Sequence, residues 1–225
     1  MADSRETARW ISYFKSKGIG AIAVDCKSGK GISGFMPAVR ELLCDRIKSW
    51  EEKGMKNRTI RVMVVGIPNV GKSSFINKVA NKSRAKAEDR PGVTRGNQWY
   101  TIGNGFELLD TPGVLWPKFD DPAVGERLAF TGAVKDQIID TELLAVRLLE
   151  VLKERPTEAF LTRFKLTESD IAALPPYELL ELIGRKRGML ISGGEIDTLR
   201  ASNMLLDEYR GAKLGKITLE GAPAG

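Results

Sequence analysis

The sequence predicts an α/β fold with a mostly parallel sheet, followed by a small all-helical domain, on three observations. Thr59-Ile60-Arg61-Val62-Met63-Val64-Val65 is an apolar, β-branched run that leads through a glycine-bearing turn into a stretch of helical composition. That is the order of a buried parallel strand and its following helix. Asn97–Ile102 and Phe106–Asp110 are two more strand-like runs, joined by Gly103-Asn104-Gly105 as a hairpin turn. After Trp116 such runs largely disappear and helical periodicity takes over. The 225 residues suffice for one substantial domain, placed at 1–120, and a small one at 121–220, with 221–225 as a flexible tail.

Taken in order, Ser4 to Lys17 reads as an amphipathic helix capped by Ser4 and ended by Gly18. Ala21-Ile22-Ala23-Val24-Asp25 reads as a short apolar strand, followed by the loop Cys26–Gly31 and a single helix from Gly34 to Lys53. Ser73 to Lys82 is the helix after the strand at 59–65. In the second half, Asp121–Lys135, Thr141–Glu154, Glu158–Phe164, Tyr177–Lys186 and Glu195–Tyr209 read as helices. Leu143, Leu144, Leu148, Leu149, Val151 and Leu152 are expected to form helical core, and Ser192-Gly193-Gly194 a turn that caps the next helix.

Composition removes several function classes. No apolar stretch approaches the ~20 residues of a membrane span, and the polar start is no signal peptide, so a cytoplasmic protein is expected. Cys26 and Cys44 are too few for a disulfide framework and lack zinc-ligand spacing; reduced thiols are expected. There is no histidine, which removes the commonest general base and the commonest metal ligand together. The net charge of +6 suits a partner rich in phosphate, though such an excess is also common on a solvated surface.

The glycine-bearing turn has its own chemistry. Gly66-Ile67-Pro68-Asn69-Val70-Gly71-Lys72-Ser73 has the glycine, lysine and serine spacing of a phosphate-binding loop, on the strand-to-helix turn that such a loop requires. Gly66 and Gly71 are expected to take positive φ so that backbone N–H groups turn onto phosphates, at the positive end of the following helix. Pro68, Asn69, Val70, Gly71, Lys72, Ser73 and Ser74 are the candidate nucleotide contacts. Lys72 is placed to neutralise the β and γ phosphates, and Ser73 to offer its hydroxyl to Mg2+. Downstream, Asp110-Thr111-Pro112-Gly113 ends its own strand. There an aspartate orients Mg2+, usually through water, and the Gly113 N–H meets a γ-phosphate. Between the two lies Arg90-Pro91-Gly92-Val93-Thr94, whose Thr94 hydroxyl suits a loop that closes over Mg2+ and γ-phosphate; Thr101 falls within a strand. Lys72, Thr94 and Gly113 are therefore the candidate catalytic groups, and Ser73, Thr94 and Asp110 the candidate magnesium set. Val114 follows Gly113 where many small GTPases carry a water-orienting glutamine, and valine cannot hydrogen-bond water.

These motifs, with Leu115-Trp116-Pro117-Lys118-Phe119, resemble the circularly permuted GTPases of the ribosome biogenesis GTPase A group over nearly the whole chain. The resemblance implies GTP and GDP as ligands, and guanine-recognition motifs that precede the phosphate loop. It also implies a partner in the large ribosomal subunit precursor and its ribosomal RNA, met by the helical domain, with a monomer expected. Asp25-Cys26-Lys27 resembles the family's last guanine loop; as plain structure the three could simply end a strand. Asn69 resembles the asparagine that helps hold a potassium ion, while an asparagine in a turn also commonly bonds its own loop. Basic side chains for RNA are offered by Arg185, Lys186, Arg187, Arg200, Arg210 and Lys213.

The pattern is departed from in two places. The family's Asn-Lys-x-Asp motif is expected just before the first helix, and no such tetrad occurs in the chain. Met1-Ala2-Asp3-Ser4 resembles the stretch that follows that motif, so the expectation is a G domain incomplete at its N-terminus, with Asp3 not standing in for the base-binding carboxylate. The family also uses an upstream histidine, for which the chain offers no candidate. Slow intrinsic hydrolysis and activation by the ribosomal particle follow. Two other readings stay open: a P-loop ATPase of another class, and a non-hydrolysing RNA-binding relative.

Overall fold

The computed structural model describes residues 2–82, 96–103, 105–115, 121–134 and 140–223. By its contacts the chain divides into two compact units, Thr7–Pro117 with Ala222–Gly225, and Lys118–Gly221 with Met1–Glu6.

The first helix, α1 (Ser4–Ser16), is capped by Asp3 rather than by the expected Ser4. The Asp3 carboxylate accepts from the Arg5 N–H at 2.8 Å and the Glu6 N–H at 3.0 Å, which satisfies two of the donors a helix start leaves without partners. Lys17 and Gly18 close the last turn onto Phe14 and Lys15 carbonyls.

In the α/β unit, the run Ala21–Asp25 is not a strand. Only an isolated bridge joins Asp25 to Lys30, and Ile22 and Val24 stay exposed. A strand is defined by a partner ladder, and no described segment supplies one to 21–24. The single helix expected over 34–53 is in three pieces: a 3-10 turn Ile32–Gly34, α2 (Phe35–Leu42) and α3 (Cys44–Glu52), broken at Leu43. The break lets Leu43, Ile47 and Trp50 pack onto the core that Phe35, Met36 and Val39 reach from α2.

The sheet has three described strands in the order β1 (Ile60–Val64), β3 (Phe106–Asp110), β2 (Gln98–Gly103). β1 and β3 are parallel, with Ile60 opposite Phe106 and Val64 opposite Asp110. β2 is antiparallel to β3, with an irregularity between Thr101 and Gly103 at the hairpin. One face carries Ile60, Ile102, Phe106 and Leu108 into a core closed by α4 (Lys72–Lys82) through Ile76, Val79 and Ala80. The other face shows Arg61, Met63 and Trp99 to solvent, so β1 and β2 alternate as half-buried strands do.

The second unit is helical: α5 (Pro122–Phe130), α6 (Thr141–Glu154), α7 (Glu158–Phe164), α8 (Glu168–Ala173), α9 (Pro176–Lys186) and α10 (Thr198–Arg210). The short α8, with a capping box between Thr167 and Asp170, has too few residues to show a helical period in the sequence. Leu144, Leu148, Leu149 and Leu152 of α6 are buried as expected; Leu143 is on the outer side. The turn Ser192–Gly194 does not cap a helix. It closes a small hairpin in which Leu190 bridges Ile196, and the Asp197 carboxylate caps α10 through the Arg200 N–H at 2.9 Å.

Three of the basic side chains expected to face RNA also have partners inside this unit. Arg210 donates to the Ala129 and Phe130 carbonyls, closing the end of α5. Lys186 donates to the Lys165 carbonyl and pairs with Asp170, and Arg187 donates to the Arg163 carbonyl and lies near Glu208. Arg185, Arg200 and Lys213 are exposed.

Candidate nucleotide-binding site

β1 ends at Val64, the chain turns through residues 65–71, and α4 begins at Lys72, so the phosphate-type loop sits at the carboxyl end of a sheet strand and at a helix N-terminus. Two residues in the turn take left-handed backbone, Gly71 at φ 97° and Asn69 at φ 58°. Gly66 does not, contrary to the expectation for it, and a Cβ there would meet only ordinary contacts 3.6 Å away. The loop's second left-handed residue is thus an asparagine, a type that tolerates this conformation better than most. The Lys72 ammonium donates to the Ile67 carbonyl at 2.8 Å and the Gly66 carbonyl at 3.1 Å, which holds its charge inside the loop.

The 110–114 segment is fastened to that loop. Asp110, the last residue of β3, is buried, and its Oδ2 accepts from the Ser73 hydroxyl at 2.8 Å. The Thr111 hydroxyl donates to the Val64 carbonyl at 2.8 Å, and the Val114 N–H to the Gly66 carbonyl at 3.3 Å. Gly113 lies so close to Pro68 that a Cβ on it would fall 2.7 Å from both the Pro68 nitrogen and Cα. Glycine is required here by approach rather than by φ. The Val114 side chain is 73% exposed.

Ser73 and Asp110 fit a magnesium ion by the chemistry of their donors: a hydroxyl and a buried carboxylate, both hard oxygens, side by side where a helix begins and a strand ends. Thr94, with its loop, and the residues 116–119 lie outside the described residues.

Asp25-Cys26-Lys27 forms a tight loop. Asp25 Oδ1 accepts from the Lys27 N–H at 2.8 Å and the Ser28 N–H at 3.2 Å, and Oδ2 from the Ser28 hydroxyl at 2.7 Å. The Ser28 hydroxyl first, then those N–H groups, hold the Asp25 carboxyl below the usual aspartate range. Burial and the neighbouring Asp25 charge push the Cys26 thiol up. The loop stands beside the phosphate-loop helix: Cys26 packs against the same core, and the Phe35 ring meets Phe75 of α4 edge-on at 5.1 Å. Thr111, Ser28 and the Phe35–Phe75 contact carried no mark in the sequence, because a hydroxyl or ring declares its partner only once distant segments meet.

Comparison with known proteins agrees with this geometry. The family described as 50S ribosome-binding GTPase matches residues 61–168. Ribosome biogenesis GTPase A of Bacillus cereus is 46% identical over 222 residues, covering 98% of this chain and 73% of that protein. The protein of that name from Priestia megaterium is 45% identical over 222 residues, covering 97% and 75%. Among solved structures, GDP-bound TM YlqF superposes with a TM-score of 0.65 at 24% identity, covering 98% of this chain and 78% of that one. GNP-bound YlqF from T. maritima gives 0.62 at 25% identity, covering 98% and 77%. With close to half its residues shared along nearly its whole length, and a phosphate loop locked to an aspartate–glycine loop, the chain belongs to the ribosome biogenesis GTPase A family.

Proposed function

We propose that the chain binds and hydrolyses GTP as an assembly factor for the large ribosomal subunit, docking on the precursor particle and its ribosomal RNA while GTP is bound. The observation that carries this reading is the direct fastening of Asp110–Gly113 to the phosphate loop. A segment tied to Ser73, Val64 and Gly66 and packed on Pro68 feels what occupies the loop.

Each residue has a role in that reading. The N–H groups of Asn69 to Ser74 cradle phosphates beside Pro68, which has no N–H to give, with left-handed Asn69 and Gly71 shaping the cradle. Lys72 leaves the Gly66 and Ile67 carbonyls for the β and γ phosphates. Ser73, Asp110 and Thr94 would hold Mg2+, which would supply neutralising charge to the phosphates. The Gly113 N–H meets the γ-phosphate, and Asp25, Cys26 and Lys27 receive guanine. Lys72, Thr94 and Gly113 stabilise the charge that develops during transfer. Asn69 is offered as a potassium contact, and hydrolysis in K+ compared with Na+ tests it. Apolar, exposed Val114 leaves the attacking water without a side-chain partner, so the ribosomal particle supplies the missing positioning. Arg185, Arg200 and Lys213 are the RNA-facing cations, with Lys186, Arg187 and Arg210 sharing that duty with internal contacts. A cytoplasmic monomer completes the reading; no helix among the described residues is long and apolar enough to cross a membrane.

The test is binding of GTP, GDP and ATP side by side by the wild-type chain and by Lys72→Ala. The reading expects a guanine preference that the substitution removes, and RNA affinity that rises with GTP. ATP preferred over GTP would instead identify an ATPase. RNA affinity indifferent to nucleotide and to Lys72→Ala would identify a binding-only module, which Val114 favours.

A further inference from the structure

A cavity of about 390 Å³ lies in the α/β unit, away from the site above. Ile47 and Trp50 of α3 and Ile60, the first residue of β1, line it with apolar surface, and Arg40, Glu51, Asn57 and Arg58 supply polar groups. It also touches Gly105, just before β3. β1 and β3 both run from this cavity toward the phosphate loop, so the two sites are separated by about one strand length, ~13 Å.

Both arginines are held against aromatic rings. The Arg58 guanidinium lies 4.7 Å from the centre of the Trp50 ring, and that of Arg40 lies 5.1 Å from the centre of the Phe106 ring. A guanidinium over a ring is held in place; that of Arg58 also reaches the Met55 sulfur through one Nη at 3.7 Å, and its edge has further N–H donors for an oxyanion. Its plane and the indole also offer flat surfaces on which a base can stack. Glu51 adds an acceptor for an amino group on a base edge. The volume is that of a small-molecule pocket, too small for a helix or a duplex.

We infer that this cavity receives one unstacked nucleotide of single-stranded RNA, its base stacked at Trp50 and Arg58 and its phosphate held by Arg58. The inference rests on the proposed RNA docking, and it adds a contact on the α/β unit to the basic residues of the helical unit. The cavity reads an exposed base, and so separates unpaired RNA from duplex.

The test uses the full chain with saturating GTP and Mg2+, and a labelled mixed-sequence oligoribonucleotide offered single-stranded and as a duplex. Arg58→Gln and Trp50→Leu should each weaken single-strand binding about ten-fold. Duplex binding and GTP affinity should stay within about two-fold, because the substitutions are remote from the phosphate loop. Thiouridine placed in the single strand should photo-cross-link the unsubstituted chain within residues 40–60, a readout that needs no variant to fold. Unchanged single-strand affinity in both variants, cross-links confined to other residues, or displacement by an acidic peptide with no RNA binding would overturn the inference. Loss of the guanine preference with these cross-links retained would overturn the GTP reading instead.

Discussion

A methyl group on Gly113 would have to displace backbone, since the atoms it would meet at 2.7 Å are the nitrogen and Cα of Pro68 rather than a flexible side-chain end. Gly113→Ala should therefore cost ~1–3 kcal/mol in urea unfolding, or move the loop off the phosphate cradle. Comparing GTP with GDP affinity distinguishes the two: a displaced loop weakens GTP binding more than GDP. Glu208 acts at the same scale in the helical unit. It is buried, and hydrogen bonds from Arg163 hold its carboxyl below the usual glutamate range despite the opposing effect of burial. A carboxyl with a lowered folded-state pKa stabilises the fold above its unfolded value, and that contribution fades as pH falls from about 4.3 through the lower folded value. Glu208→Gln should cost roughly 1–2 kcal/mol at neutral pH, discounted because Arg163 is 39% exposed, and the difference from wild type should close as the unfolding series is carried into acid.

Elements show where local pattern suffices and where it fails. In α6 the apolar residues recur at helical spacing, and the side chains it buries are those the period selects, save Leu143. Leu148, fully buried beneath α9 and α10, is therefore a fair probe: Leu148→Ala should cost about 3 kcal/mol, read as a lower denaturant midpoint for the helical signal. β1, α4 and β3 were legible for a like reason, since the glycines, lysine and serine between strand and helix can serve few other purposes. The single helix expected over 34–53 was not, because what breaks it at Leu43 is the demand of a shared core on Ile47 and Trp50, which no window of sequence contains. The run 21–25 has strand composition without a described ladder partner. Asp3 and Asp197 were missed as caps because each neighbours another plausible capping residue or turn. In the candidate site, residue identities were readable and their fastenings were not. The Ser73–Asp110 bond spans 37 positions, and Thr111 to Val64 spans 47.

At the scale of the whole molecule, the excess of 35 basic over 29 acidic side chains does not translate directly into an RNA surface. Lys186, Arg187 and Arg210 donate to carbonyls within the helical unit, whereas no such contact is described for the exposed Arg185, Arg200 and Lys213. Duplex RNA affinity should accordingly fall with salt with a log–log slope of roughly −3, and Arg185→Gln should reduce that slope by about one. A slope near zero would exclude phosphate contacts from the docking. The pairing of Val64 with Asp110 carries a different consequence, one for inheritance. Because a strand alternates faces residue by residue, a single codon lost from β3 would turn Asp110 away from Ser73 while leaving composition almost untouched. The number of residues in β3 is therefore as much a part of the site as the carboxylate at their end.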